Sequence, residues 1–250
     1  MMYENILVEK KNHVAILSFN RPDKLNAINV HVKREVSQAL KELEADNDVR
    51  VVILTGAGKS FSTGHDMSAP ESENEEFVSL KEEEDLLNFN KPIIAAINGY
   101  ALGDGLQQAL MCDIRIAGED AVLGFIGPMV GALCYGSFSI FPDIVGRAKA
   151  NELLLTCDRI TGEEAYRIGL VNKVVPCDQI MPAAIEMAEK INKAAPLSIK
   201  HTKRMLRQKY FGNDYKARLR EGIRVTEASE DQREAVRAFK EKREPIFKGI

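Results

Sequence analysis

Residues 91–105 read Lys91-Pro92-Ile93-Ile94-Ala95-Ala96-Ile97-Asn98-Gly99-Tyr100-Ala101-Leu102-Gly103-Asp104-Gly105. Ile93–Asn98 is a short apolar run rich in β-branched residues, and it reads as a buried strand. Gly103-Asp104-Gly105 follows as a tight turn that opens a helix. Such a turn leaves backbone N–H groups free and pointing outward. Working outward, His13–Phe19 and Arg50–Thr55 are strands of the same kind before this segment, and Asp113–Ala117 and Val171–Val175 come after it. Between the first two lies Val30–Leu43, apolar at Val32, Val36, Leu40 and Leu43, a spacing that makes one helical face. Asn29 stands before it as an N-cap. Strands separated by helical stretches predict an α/β class with crossover connections.

The flanks have other textures. Pro70–Asp85 is dense in Glu and Ser and reads as a solvated loop running into a helix start; a lid beside a site is the other reading. Beyond Asp178 four stretches look helical: Ile180–Ile191, Leu197–Tyr210, Asn213–Ala228 and Glu230–Arg243. The expected organisation is an α/β core over residues 1–195 and a helical C-terminal region over 196–250.

Composition narrows the function. The chain has 250 residues, with 37 Asp and Glu against 34 Lys and Arg, a formal charge of −3. No basic excess exists for binding nucleic acid by bulk charge. No apolar run approaches the roughly 20 residues that cross a bilayer, and Met1–Lys11 lacks the apolar core of a signal peptide. Cys112, Cys134, Cys157 and Cys177 are widely spaced, with no CxxC or Cys/His cluster. Neither a metal site nor a disulfide framework is expected, and a cytoplasmic location is.

GxSxG, GxxxxGK[ST] and HExxH are all missing. A dinucleotide loop at Gly103 would need its third glycine at Gln108. Four segments stand out instead: Asn20–Ile28 (NRPDKLNAI), Gly56–Met67 (GAGKSFSTGHDM), Lys91–Gly105, and Thr156–Ala165 (TCDRITGEEA). The second and third each combine a strand with a glycine-containing turn. Two such turns facing one point would hold a developing oxyanion.

In order and spacing these four segments resemble the enoyl-CoA hydratase/isomerase (crotonase) superfamily over nearly the whole chain. The resemblance implies a spiral of ββα repeats with a helical C-terminal region used for trimerisation, and a homotrimer or a hexamer built as a dimer of trimers. It implies an acyl-CoA thioester as substrate, with no cofactor beyond the coenzyme A moiety. The thioester enolate would be held by the backbone N–H groups of His65 and Asp104. Lys24 and Ala27 match the loop along the nucleotide, and Gly64 and Asp66 match the pantetheine side. Phe239 and Lys242 match the C-terminal F-x-x-K pattern.

The chain departs from the superfamily where its hydratases carry catalytic acids. The first Glu position is Gln107, an amide that orients water but is no carboxylate base. The second falls at Gly127, or at Ile126 with a one-residue shift. The stretch Gly124–Gly131 is similar to the G-x-x-G-P-x-x-G of ring-modifying members, but where those carry an Asp this chain has Cys134, followed by Tyr135. Gln107, Cys134 and Tyr135 are thus the candidate side chains for proton transfer, alongside the two backbone donors. Three readings follow: a hydratase or isomerase, a ring-modifying or C–C bond-forming or cleaving enzyme, and a non-catalytic acyl-CoA-binding paralogue. Most of the remaining acids lie in surface-looking stretches such as Glu71–Asp85; Asp104, Glu83 or Glu84 turned inward would return a carboxylate to the site.

Overall fold

A computed structural model of the chain describes residues 3–69, 75–133, 137–194, 196–207, 227–228, 230–243 and 245. The strands are β1 (Ile6–Lys11), β2 (Val14–Phe19), β3 (Val51–Gly56), β4 (Ile93–Ile97), β5 (Tyr100–Leu102), β6 (Ile114–Gly118), β7 (Val122–Gly124), β8 (Ile160–Thr161) and β9 (Lys173–Val175). The helices are α1 (Val30–Ala45), α2 (Glu75–Asn88), α3 (Asp104–Met111), α4 (Ser137–Val145), α5 (Arg147–Thr156), α6 (Gly162–Arg167), α7 (Ile180–Asn192), α8 (Pro196–Arg207) and α9 (Glu230–Glu241). Most of the expected helix Asn213–Ala228 lies outside the described residues, as do the candidates Cys134 and Tyr135.

Six strands form one sheet in the order β1-β2-β3-β4-β6-β9. All its pairs are parallel except the β1–β2 hairpin. That hairpin closes over Asn12 and His13, at φ 51° and 65°. Two left-handed residues give the loop the twist that a two-residue hairpin needs. A second sheet runs β5-β7-β8. Consecutive strands thus alternate between sheets: β4 then β5 leads into α3, and β6 then β7 leads toward α4. This repeating ββα unit is the expected spiral.

The central strands β3 and β4 of the six-stranded sheet are buried on both faces, as parallel strands are. Val52, Leu54, Ile93, Ala95 and Ile97 point into one core with Val36 and Leu40 of α1 and Leu106 and Leu110 of α3. Their neighbours Val51, Ile53, Ile94 and Ala96 point the other way, onto Ala184 and Ala188 of α7. Helix α1 is set by local chemistry: Asn29 Oδ1 accepts from the N–H of His31 and Val32 at 3.1 and 3.0 Å. Val32, Val36, Leu40 and Leu43 are all buried.

Candidate active site

Three loops meet at one end of the sheet. The loop after β2 runs alongside the turn after β3: the Ile28 N–H donates to Gly64 O (2.7 Å), and the Asp66 N–H donates to Ile28 O (2.9 Å). That turn in turn joins the segment around β5, because the Leu102 N–H donates to Ser62 O at 3.0 Å and the Ser62 N–H to Tyr100 O at 2.9 Å. The approach is close enough to require glycine. A Cβ on Gly64 would lie 2.6 Å from Leu102 O and 3.1 Å from the Asp104 nitrogen, and its φ is +91°. A Cβ on Gly105 would collide with the Ser62 carbonyl oxygen. The backbone amides of His65 and Asp104 therefore head two adjoining turns.

Asp104 is the first residue of α3, and the Gln107 N–H makes the bond back to Gly103 O at 3.1 Å. The N–H groups of a helix's first turn have no intrahelical acceptor and sit at the positive end of its dipole. Beside this turn the Gly103 N–H donates to Gly124 O at 2.9 Å. A Cβ on Gly103 would have Ile126 Cγ1 as its nearest neighbour, at 3.8 Å. Gly127 opens a 3₁₀ turn, Gly127–Val130. Both residues aligned with the second acid position are thus non-acidic, and one of them is an apolar neighbour of the α3 N-terminus.

The coenzyme-side candidates form a second group. Arg21 pairs with Asp66 at 2.8 Å and donates to Ala27 O at 2.6 Å. Lys24 Nζ donates to Ser68 Oγ at 3.2 Å, and Asp66 Oδ1 accepts from the Ser68 hydroxyl at 2.6 Å. Burial works against the Asp66 carboxylate, but hydrogen bonds from Ser68 and Arg21 outweigh it and hold its pKa below the ordinary value. Lys24, Ala27, Gly64 and Asp66 are thus brought together. Arg21, the second residue of the NRP stretch, belongs with them, although the sequence reading did not single it out. Phe239 and Lys242 lie at the end of α9, and both are exposed. Among the described residues no hydrogen bond or ion pair joins them to this group.

The third group corrects the surface reading of Glu71–Asp85. The described part of this stretch belongs to α2, and Glu82 and Glu83 are only 1% and 5% exposed. They face Lys33 of α1 and Asp104, Gln107 and Gln108 of α3. Lys33 Nζ pairs with the Asp104 carboxylate at 2.7 Å. The Gln107 side-chain amide donates to Glu83 Oε1, and Gln108 Nε2 donates to Glu82 Oε2 at 2.9 Å. Gln108 Oε1 is buried and accepts no hydrogen bond from the described residues. Burial alone would lower the Lys33 pKa, but the charges of Asp104, Glu82 and Glu83 raise it above its ordinary value.

Burial pushes both glutamates up to about 8, against the pull of Lys33, and the Asp104 charge adds to the rise. A carboxyl raised in the folded state keeps its proton where the unfolded chain has lost it. Its stabilising contribution is therefore complete below the unfolded value near 4.5 and is lost as pH rises toward 8. Each such group sets a slope of up to about 1.4 kcal/mol per pH unit inside that window. Urea unfolding at pH 5.5 and pH 8.5 is expected to show wild type losing stability across the interval. The E82Q/E83Q double variant should lose clearly less; equal losses would show that these carboxyls do not carry the slope.

Known proteins agree with this architecture. The enoyl-CoA hydratase/isomerase family model matches residues 9–250. A probable mitochondrial enoyl-CoA hydratase of Dictyostelium discoideum is 39% identical over 254 residues, covering 96% of this chain and 89% of that protein. The (E)-benzylidenesuccinyl-CoA hydratase of Thauera aromatica is 38% identical over 258 residues, covering 98% of this chain and 99% of that one. The crystal structure of an enoyl-CoA hydratase/isomerase from Pseudoalteromonas atlantica T6c superposes with a TM-score of 0.90 at 30% identity, over 98% of this chain and 100% of that one. The spiral of ββα units is the crotonase fold. This chain belongs to the enoyl-CoA hydratase/isomerase family and has that family's acyl-CoA function.

Proposed function

We propose that the protein is an enzyme that seats an acyl-CoA thioester with its carbonyl oxygen between the backbone N–H groups of His65 and Asp104, and that it acts as a hydratase or isomerase. The observation that carries this is the contact of the two turns, with Gly64 against the Asp104 nitrogen. Water addition to an enoyl thioester, or proton removal beside the carbonyl, leaves negative charge on that oxygen. Preorganised N–H donors stabilise such a charge by about 3–4 kcal/mol each, and the α3 dipole adds to them. The Arg21–Asp66 pair holds the loop of Lys24 and Ala27 against the turn of Gly64, which supports this edge as the coenzyme side.

Trimers, or dimers of trimers, belong to the same proposal. Leu206 of α8 and Phe239 of α9 are 73% and 56% exposed, which supports a helical region that packs on other copies. The thiols Cys157 and Cys177, outside any disulfide, support a reducing, cytoplasmic setting.

The test is calorimetric titration with crotonyl-CoA, together with turnover of short, long and cyclic enoyl-CoA thioesters. Saturable binding with hydration or double-bond migration is expected. Turnover confined to cyclic thioesters would favour a ring-modifying enzyme. Binding without turnover of any panel member would favour a non-catalytic acyl-CoA binder, and absence of binding would overturn the proposal.

A further inference from the structure

We propose that Glu83 is the proton-carrying residue of this site, delivered from α2 and held by the side-chain amide of Gln107 in the first turn of α3. The inference rests on the thioester reading above. Asp104, Gln107 and Gln108 are spaced three and four residues apart, so they share one face of α3. The Asp104 amide heads that face, and Gln107 follows about one turn, or roughly 5 Å, further along. Gln107 cannot itself exchange a proton at neutral pH. What it does is bind Glu83 Oε1, so a carboxyl from another helix reaches the tip of the side chain that stands at the empty acid position.

The surroundings fit a working acid rather than a completed structural network. Glu83 faces Lys33 from α1, Asp104 from α3 and Glu82 from its own helix. Lys33 is already paired with Asp104 at 2.7 Å, so this one cation is shared among three carboxyls. Gln108 Oε1 has no donor among the described residues. Buried polar groups are rarely left so, and the exceptions call for a reason. A carboxyl with a pKa near 8 exists in both forms around neutrality, which suits proton transfer in either direction. Glu82 is the more enclosed of the two, at 1% exposure against 5%.

The step balances without another reactant. The Glu83 carboxylate takes a proton from the carbon next to the thioester carbonyl. The C–H electron pair forms the enolate double bond, and the carbonyl π pair moves onto oxygen between the two N–H groups. In reverse, protonated Glu83 returns the proton to that carbon. Glu83 is the catalytic residue and Gln107 a positioning residue.

Butyryl-CoA is a suitable probe, because exchange of its α-hydrogens with D2O reports this step alone. Wild type is expected to exchange them at a rate that rises with pH and levels off above about 8. E83Q should lose at least 100-fold in exchange while binding butyryl-CoA within about threefold, consistent with general acid–base contributions of about 10²–10⁴. E82Q should stay within about threefold in both. Q107A should lose rate and shift the midpoint of the pH profile, whereas a purely structural Gln107 would leave the midpoint in place. Binding without exchange by wild type, exchange unaffected in E83Q, or loss in E82Q alone would each overturn the assignment to Glu83. Failure of wild type to bind would instead overturn the thioester reading.

Discussion

Replacing Lys33 with methionine is expected to destabilise the protein by about 3–5 kcal/mol, because it leaves the Asp104 carboxylate without its cation. Lys33 is 2% exposed, and its ammonium lies 2.7 Å from the Asp104 carboxylate. Methionine keeps most of the aliphatic stem, so the loss reports charge rather than packing. Replacing both partners is a different experiment. In K33M/D104N no buried charge is stranded by this pair, and buried ion pairs replaced by neutral groups of similar volume are often near neutral in stability. The double variant should therefore recover most of what K33M loses. Urea unfolding at pH 7 measures both. A K33M loss below about 1 kcal/mol would mean that the cluster relaxes or hydrates far more readily than its burial implies.

The second large effect is expected at Gly64. G64A should cost about 2–4 kcal/mol, combining left-handed strain with overpacking. It should also lower turnover at least 100-fold, since misplacement by about 1 Å at a reacting centre has that effect. Its φ is +91°, and the added methyl would sit 2.6 Å from Leu102 O and 3.1 Å from the Asp104 nitrogen. The Asp104 amide and the turn that carries the His65 amide would have to separate. Gly146 supplies the control: its φ is +80°, but a methyl added there would meet nothing within 4 Å. G146A should cost about 1–2 kcal/mol through strain alone and leave turnover intact. Equal losses of activity in the two variants would remove close approach as the reason for Gly64.

What the sequence makes legible is local. Asn29 and the spacing of Val32, Val36, Leu40 and Leu43 marked α1, and the structure places that helix at Val30–Ala45. The apolar runs at β3 and β4 were readable because both faces are buried, so every residue is apolar or small. Strands β5, β7 and β8 were not readable. Each is two or three residues long, too short for alternation to register. β1 went unrecognised because Glu9, Lys10 and Lys11 are exposed and blur its pattern. The glycine turns were legible as turns.

The candidate site divides in the same way. From the sequence alone came the family, the two glycine turns, and the vacancy of the acid positions at Gln107 and Gly127. Composition and periodicity placed the many acids of Glu71–Asp85 in water, since a Glu-rich stretch with few apolar residues normally stays there. Only the tertiary structure decided that Glu82 and Glu83 turn inward. Their burial depends on Lys33, about 50 residues before them, and on Gln107 and Gln108, about 25 residues after. A buried charge is tolerated only when its partners are assembled around it. The two glutamates and their partners come from three helices that meet only once the chain has folded, and no local pattern in any of the three reveals the other two.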